Sequence, residues 1–268
     1  MTISTRPKVT TQSRSGIYWV VSDAMAMTKR NLLRYIRIPE LLVFSTIQPV
    51  MFILLFAYVF GGAIRTPGVN YIQFLIPGIL VQTVVFGSTA TGIGLADDLG
   101  KGMVDRFRSL PMARSAVLAG RTISDTIRNS FVVGLMIAIG SMIGFRFRAG
   151  FIPALAGVAL VVLFGLAFSW ISATIGLAIG DAEAAQTASF IWLFPLTFAS
   201  SVFVPTASMP HWLQVFAKVN PVTNVVNAMR ALSLGGPTSD SLWKAIAWIA
   251  AILVVFVPMA VRNYRRVG

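Results

Sequence analysis

The sequence predicts an all-α, polytopic membrane protein with six transmembrane helices and an amphipathic helix ahead of them. Three observations predict it. Of 268 residues, 56% are apolar and 12% charged, with a mean hydropathy of +0.78; soluble domains carry about 25% charged residues. The apolar residues gather into six runs of about 17 residues or more, the lower limit for crossing a bilayer core. The basic residues also segregate. With the N-terminus inside, sixteen of the 22 Lys and Arg fall on the cytoplasmic side and six outside, the bias that the positive-inside rule demands.

Residues 1–16 are polar and include Arg6, Lys8 and Arg14. No short apolar core with a cleavage site follows, so a flexible cytoplasmic N-terminus is expected. Residues 17–38 read as an interfacial helix. At 100° per residue, Asp23, Lys29, Arg30, Arg34 and Arg37 fall on one side, and Ile17, Tyr18, Val21, Met25, Leu32, Tyr35 and Ile36 on the other. Pro39 ends it. Residues 39–268 form a single transmembrane domain, with spans at about 41–60, 71–96, 129–145, 152–180, 187–204 and 245–261.

Span one carries Gln48-Pro49, which predicts a kink, and Gln48 serves either as interhelical glue or as pore lining. Span two contains Pro77, Gly78, Gln82, Ser88, Thr89, Thr91, Gly92 and Gly94, a density of small and hydroxyl residues that suits close helix packing. Span four has the same character. Span five carries Pro195. Between spans five and six, two short helices are expected, one presenting Trp212, Leu213, Phe216 and Val219. The other, after Asn220-Pro221, presents Val222, Val225, Val226, Met229 and Leu232. Both are expected in or against the outer leaflet.

Between spans two and three lies one charged stretch, Asp97 to Asp125, with four of the nine acids and Lys101, Arg106, Arg108, Arg114 and Arg121. A central Arg, Lys or Asp costs about 2.5–3.5 kcal/mol in a membrane helix, so the stretch is expected outside the bilayer. Arg121 and Asp125, spaced i, i+4, are expected to pair on a cytoplasmic extension of span three. Met103, Phe107 and Leu110 make an apolar ridge that Pro111 stops. Such a helix suits an energising subunit, or simply lies on the membrane.

Several function classes are excluded. The chain has no cysteine, hence no disulfide framework or thiol chemistry. Its net charge of +13 comes with no soluble fold to present a basic patch, so nucleic acid is not a partner. All nine acids lie at or beyond span ends, which disfavours a proton- or sodium-coupled carrier. The phosphate loop G-x-x-x-x-G-K-[ST] is absent, so the chain is no ATPase on its own. His211 is the only histidine, and an interface role suits it better than catalysis or metal binding.

Asp105-Arg-Phe-Arg-Ser-Leu-Pro-Met-Ala-Arg114, followed by Gly120-Arg121 and Asp125, resembles the cytoplasmic loop of ABC-2 type permeases, most closely their daunorubicin/doxorubicin-resistance branch. Three further stretches agree in order: Arg30-Asn-Leu-Leu-Arg34 with Pro39-Glu-Leu-Leu42 and Gln48-Pro49; Phe194-Pro195 with Phe203-Val-Pro205, Met209-Pro210 and Trp212-Leu213; and Asn220-Pro221 with Arg230. The likeness covers nearly the whole chain.

The resemblance implies a permease that dimerises with itself or with a second ABC-2 permease in a bacterial cell membrane, with both termini cytoplasmic. It implies two copies of a separate ATPase subunit, which bind ATP and Mg, and no cofactor on this chain. Residues 17–38 and a coupling helix at about 103–114 face that subunit, which assigns docking to Met103, Asp105, Arg106, Phe107, Arg108, Leu110, Arg114, Lys29, Arg30 and Arg34. Residues 210–233 correspond to two outer re-entrant helices. The path is expected along spans one, two and five, with Gln48, Phe56, Gln82, Phe86, Trp192, Phe194 and Phe198 as candidates beside Tyr58 and Phe60; each aromatic also suits lipid or core. A hydrophobic drug or amphipathic lipid is the expected cargo. A polysaccharide or lipid-linked glycan is the alternative, and a secondary carrier or channel subunit the alternative of another class.

Overall fold

Every regular element is helical in the computed structural model, among the residues it describes: 17–64, 66, 68–103 and 114–266. The helices are α1 (Ile17–Arg37), α2 (Glu40–Leu54), α3 (Tyr71–Gly87), α4 (Thr89–Gly100), α5 (Arg114–Met142), α6 (Phe151–Ile179), α7 (Ala182–Phe198), α8 (His211–Val219), α9 (Pro221–Leu234) and α10 (Ser239–Arg266).

Four stretches are long and apolar enough to cross a membrane: Tyr71–Gly100, Val117–Met142, Phe151–Ile179 and Ser239–Arg266. Two expected spans are shorter as regular helices. The first is α2, whose α-helical turns persist through Pro49 to Leu54 and then widen into a π-helix, Leu55–Phe60. The irregularity thus falls beyond the proline. The fifth is α7, 17 residues long. The Asp181 carboxylate caps it, accepting from Ala184 N at 2.8 Å, and it stops at Phe198, short of the expected Val204.

Span two is continuous in the sequence pattern but broken in structure. Ser88 interrupts it, and Ser88 Oγ and Thr89 Oγ1 donate back to Val85 O at 2.6 Å and Phe86 O at 2.7 Å. Such back-bonding bends helices. The next segment, α4, continues through Asp97 and Asp98 to Gly100, so the charged stretch begins as helix.

Helix α5 runs from Arg114, so the expected extension of span three is helical. Arg121 and Asp125 pair on it at 3.3 Å, as their i, i+4 spacing implies, and with Arg128 they are buried within the bundle. The two short helices after α7 differ in their surroundings. In α9, Val222, Val225, Val226, Met229 and Leu232 are buried against α3, α6 and α10, whereas Trp212, Phe216 and Val219 of α8 are exposed. Asn220 joins the two, accepting from Val222 N at 2.8 Å and donating to Leu196 O at 2.6 Å.

One core lies between α3, α5, α6, α9 and α10, with Leu75, Ile79, Val133, Phe164, Phe168 and Met229 at its centre. A second gathers Met27, Leu95, Leu118, Leu177 and Tyr264 from α1, α4, α5, α6 and α10. Closest approach occurs where α4 crosses α6. A Cβ on Gly92 would strike the Ser172 backbone, and one on Gly176 would strike the Gly92 backbone. Gly176→Leu should therefore destabilise the chain by the upper end of the roughly 1–3 kcal/mol of overpacking, read as a lower thermal midpoint in detergent. Gly62→Ala, with nothing within 4 Å of the new Cβ, should leave the midpoint unchanged.

On α1 the bundle-facing side is Ala24, Met27, Thr28, Asn31 and Tyr35, packed along α5. The large apolar residues Val21, Met25 and Ile36 are exposed instead. The helix thus has three faces rather than two, with Lys29 and Arg30 on an exposed charged one.

Candidate functional site

A cavity of about 590 Å³ opens where α1, α2, α3, α4, α5 and α7 converge. Helical spacing on each element builds its wall. From α2 come Ser45, Gln48, Pro49 and Phe52; from α3 and α4, Gln82, Phe86, Ala90, Ile93 and Asp97; from α7, Ala182, Gln186 and Phe190. Asn31 and Tyr35 of α1 and Arg121 and Arg128 of α5 complete the polar end.

Behind that end sits a buried charge cluster centred on Asp125, which is fully buried. Its Oδ1 accepts from Tyr35 OH at 2.7 Å, and its Oδ2 from Thr91 Oγ1 at 2.7 Å and Arg121 Nε at 3.3 Å. Arg128 Nη1 lies 4.0 Å from Asp125 Oδ1 and donates to Tyr35 OH at 3.1 Å. Arg128 Nη2 donates to Gly87 O at 2.6 Å, and Arg121 Nη2 to Ala90 O at 3.2 Å. Asp98 Oδ2 stands 3.8 Å from Arg121 Nη1. The cluster therefore ties α1, α3, α4 and α5 together. Any side chain at Gly94 would overlap the Arg121 guanidinium, so glycine is what admits the arginine there. Burial, reinforced by the Asp125 carboxylate, pushes the Tyr35 hydroxyl up to about 12, so it stays protonated and donates.

From the apolar end of the cavity a wall of phenylalanines runs along α2 and α7. Phe86 meets Phe190 and Phe194 at centroid distances of 6.1 and 5.4 Å, Phe194 stacks on Phe198 at 5.5 Å, and Phe198 on Phe203 at 5.2 Å. Phe203 continues to Phe56 at 4.2 Å, and Phe56 to Phe60 at 5.2 Å. The spacing of aromatic pairs here is that of favourable ring contacts. Phe60, Phe194 and Phe198 keep one side exposed.

Arg230 pins the segment after α7. It donates to Phe74 O at 2.9 Å, Ser201 O at 2.6 Å and Val202 O at 3.1 Å, with its guanidinium 3.4 Å from the Phe74 ring centroid. Tyr71 OH donates to Phe203 O at 3.0 Å and fixes the same segment.

Of the expected path residues, Gln48, Gln82 and Phe86 line the cavity, and Phe56, Phe194 and Phe198 lie in the aromatic wall. Trp192 lies elsewhere, stacked on Phe168 of α6 at 5.7 Å. Tyr58 is exposed on the π-helix. Phe52, Phe190 and Phe203 belong to the same surface, and the first two had a signal: phenylalanine recurs every four residues at 52, 56, 60 and at 190, 194, 198. Asn31 and Tyr35 had none, because they stand on a helix assigned to the interface.

Of the expected docking residues, Lys29 and Arg30 are exposed on α1, and Met103 is half-buried at the end of a described stretch. Asp105, Arg106, Phe107, Arg108 and Leu110 lie outside the described residues, as do the side chains of Arg34 and Arg114. Among the described residues no group of three His, Asp or Glu comes together to hold a metal.

The sequence profile of the family described as ABC-2 type transporter matches residues 23–234. The chain is 33% identical over 245 residues to the daunorubicin resistance ABC transporter permease protein DrrB1 of Streptomyces coeruleorubidus, covering 91% of this chain and 87% of that protein. It is 28% identical over 256 residues to the probable doxorubicin resistance ABC transporter permease protein DrrC of Mycobacterium tuberculosis, covering 95% and 92%. It is 22% identical over 205 residues to the probable multidrug ABC transporter permease YbhR of Escherichia coli, covering 75% and 54%.

Proposed function

The chain belongs to the ABC-2 type transporter family, the multi-pass membrane subunits of exporters powered by a separate ATPase subunit, and on that premise we propose that it moves a hydrophobic drug or amphipathic lipid out of the cytoplasm or inner leaflet. The observation that carries the cargo class is the cavity. One end is polar, and the other opens onto a continuous phenylalanine wall that offers apolar and cation–π contact.

In this reading α2 and α7 cross the membrane with the four longer stretches, giving six spans, and α8 and α9 are the outer re-entrant pair. The exposed side of the phenylalanine wall, with Ile47, Met51 and Ile191 beside it, faces a second permease, identical or similar. Two ATPase copies dock on α1 and on residues 103–114 and carry ATP and Mg between them. The protein sits in the bacterial inner membrane with both termini in the cytoplasm. Closure of the ATPase pair then pushes on α1, and the Tyr35–Asp125 bond passes the movement to α4 and α5 beside the cavity.

Cells expressing the chain with its ATPase subunit should accumulate less daunorubicin, or display more of a labelled inner-leaflet lipid at the surface, than cells with either subunit alone. Phe86→Ala and Phe194→Ala should each reduce that difference severalfold. A surface glycan that depends on the pair, with unchanged drug and lipid distribution, would contradict the cargo class.

A further inference from the structure

We propose that Phe203 is the fixed half of a gate on the substrate path, and that the π-helical segment Leu55–Phe60 is the half that moves. The proposal rests on the reading of the cavity as part of that path and of α2 and α7 as spans. The cavity stops partway along both helices. Phe52 is the last residue that α2 gives to its wall, and Phe190 the last from α7. Beyond Phe52 stand the rings of Phe203 and Phe198, at centroid distances of 5.7 and 6.2 Å. Phe203 also stacks on Phe198 at 5.2 Å and on Phe56 at 4.2 Å, and it is 4% exposed. One ring from the segment after α7 thus bridges α2 and α7 past the end of the cavity. An apolar constriction of this kind closes a passage by excluding water.

The two sides of the contact are held differently. The backbone that carries Phe203 is bonded at successive residues. Ser201 N donates to Thr223 Oγ1 at 3.1 Å, Arg230 donates to Ser201 O and Val202 O, and Tyr71 OH donates to Phe203 O. Helix α3 packs directly beneath it, since a Cβ on Gly78 would strike the Val202 backbone. Phe56 has no such support. It lies on the π-helix, which has no buried residue, just past the point where α2 leaves α-helical winding. Such turns are rare and recur at functional sites. A change of winding there rotates the side chains it carries, so Phe56 can leave Phe203 while the bonds around Phe203 stay intact.

The chain has no cysteine, so introduced thiols report alone. Gln48→Cys places one on the cavity wall. In ATP-depleted cells holding the chain with its ATPase subunit, a membrane-impermeant methanethiosulfonate added outside should leave that thiol unlabelled. The same reagent should label it in inverted vesicles. Phe203→Ala and, from the other side of the contact, Phe56→Ala should each admit the outside reagent. Outside labelling with both rings present, no labelling from the cytoplasmic face, or no gain in either alanine variant would overturn the gate. Two thiol pairs then separate its halves. Cross-linking Phe56→Cys to Phe203→Cys with a short bismethanethiosulfonate should abolish ATP-dependent export until dithiothreitol is added. Cross-linking Ser201→Cys to Asn227→Cys, whose native side chains meet at 3.1 Å, should leave export unchanged. Failure of the first pair to cross-link, export that survives it, or export lost to the second pair would overturn the assignment of the moving and fixed halves. Absence of export from the reduced chain is a failure of the exporter reading instead, and the labelling pattern still decides the gate.

Discussion

Asp125→Ala should lower the stability of the chain by about 3–5 kcal/mol, the cost of removing one partner from a buried ion pair. The carboxylate accepts from Tyr35, Thr91 and Arg121 and lies within 4.0 Å of Arg128. Its removal leaves two guanidiniums buried with only Asp98, 3.8 Å from Arg121, as a nearby acid among the described residues. Asp125→Asn keeps acceptor capacity and loses the charge, so it should fall between wild type and alanine. Thr91→Val removes one hydrogen bond to the carboxylate and should cost about 1.5–3 kcal/mol, and Tyr35→Phe, which removes its bond to Asp125 and the one it accepts from Arg128, should cost at least as much. Arg121→Met placed on Asp125→Ala should recover part of the loss. The readout is the thermal midpoint of the purified chain in detergent. An alanine variant as stable as the native chain would mean that the cluster does not bind α1 to the bundle.

Phe107→Ala and Arg106→Glu should each cut ATPase association by about thirtyfold, equivalent to a hot spot of 2 kcal/mol, and coupled ATP hydrolysis should fall with it. Phe107 is the middle of the apolar ridge that the sequence spacing predicts from Met103, Phe107 and Leu110, with Arg106 expected on its charged side. Trp212→Ala serves as the control. It removes a large exposed residue on α8, at the end expected to lie outside, and should leave both quantities unchanged. Co-purification of the two subunits measures the first effect. Native-level complex formation by both docking variants would sink the assignment of residues 103–114.

The parts of the fold that were legible in sequence are those where one apolar run meets sharp punctuation. The expected span at 152–180 and the observed Phe151–Ile179 helix differ by one residue at each end, because Gly150 and Gly180 bound the run and both adopt positive φ, at 98° and 74°. On α5 the i, i+4 pairing of Arg121 with Asp125 was legible, but its burial was not, because that depends on Tyr35 arriving from 90 residues away. What covers α9 was not legible either, because a stripe of valines and methionine has the same pattern whether lipid or protein covers it.

For the site, the four-residue phenylalanine repeats on α2 and α7 were visible one helix at a time. The cavity was not, since six helices contribute to it and its polar end borrows side chains from α1 and α5 that looked assigned to other tasks. Gln82 and Gln48 stood out only as polar residues in apolar runs. Structure adds what separates them: Gln82 is buried with an unpartnered oxygen, whereas Gln48 is exposed.

The central claim is that this chain is the membrane half of an ATP-driven exporter. Proteoliposomes holding the chain with its ATPase subunit in inverted orientation, loaded outside with daunorubicin, test it most directly. Drug should accumulate when ATP and Mg are added, with none on a non-hydrolysable ATP analogue, none with the chain alone, and no change when ionophores collapse proton and sodium gradients. Accumulation by the chain alone under an imposed gradient, with no requirement for ATP, would contradict it.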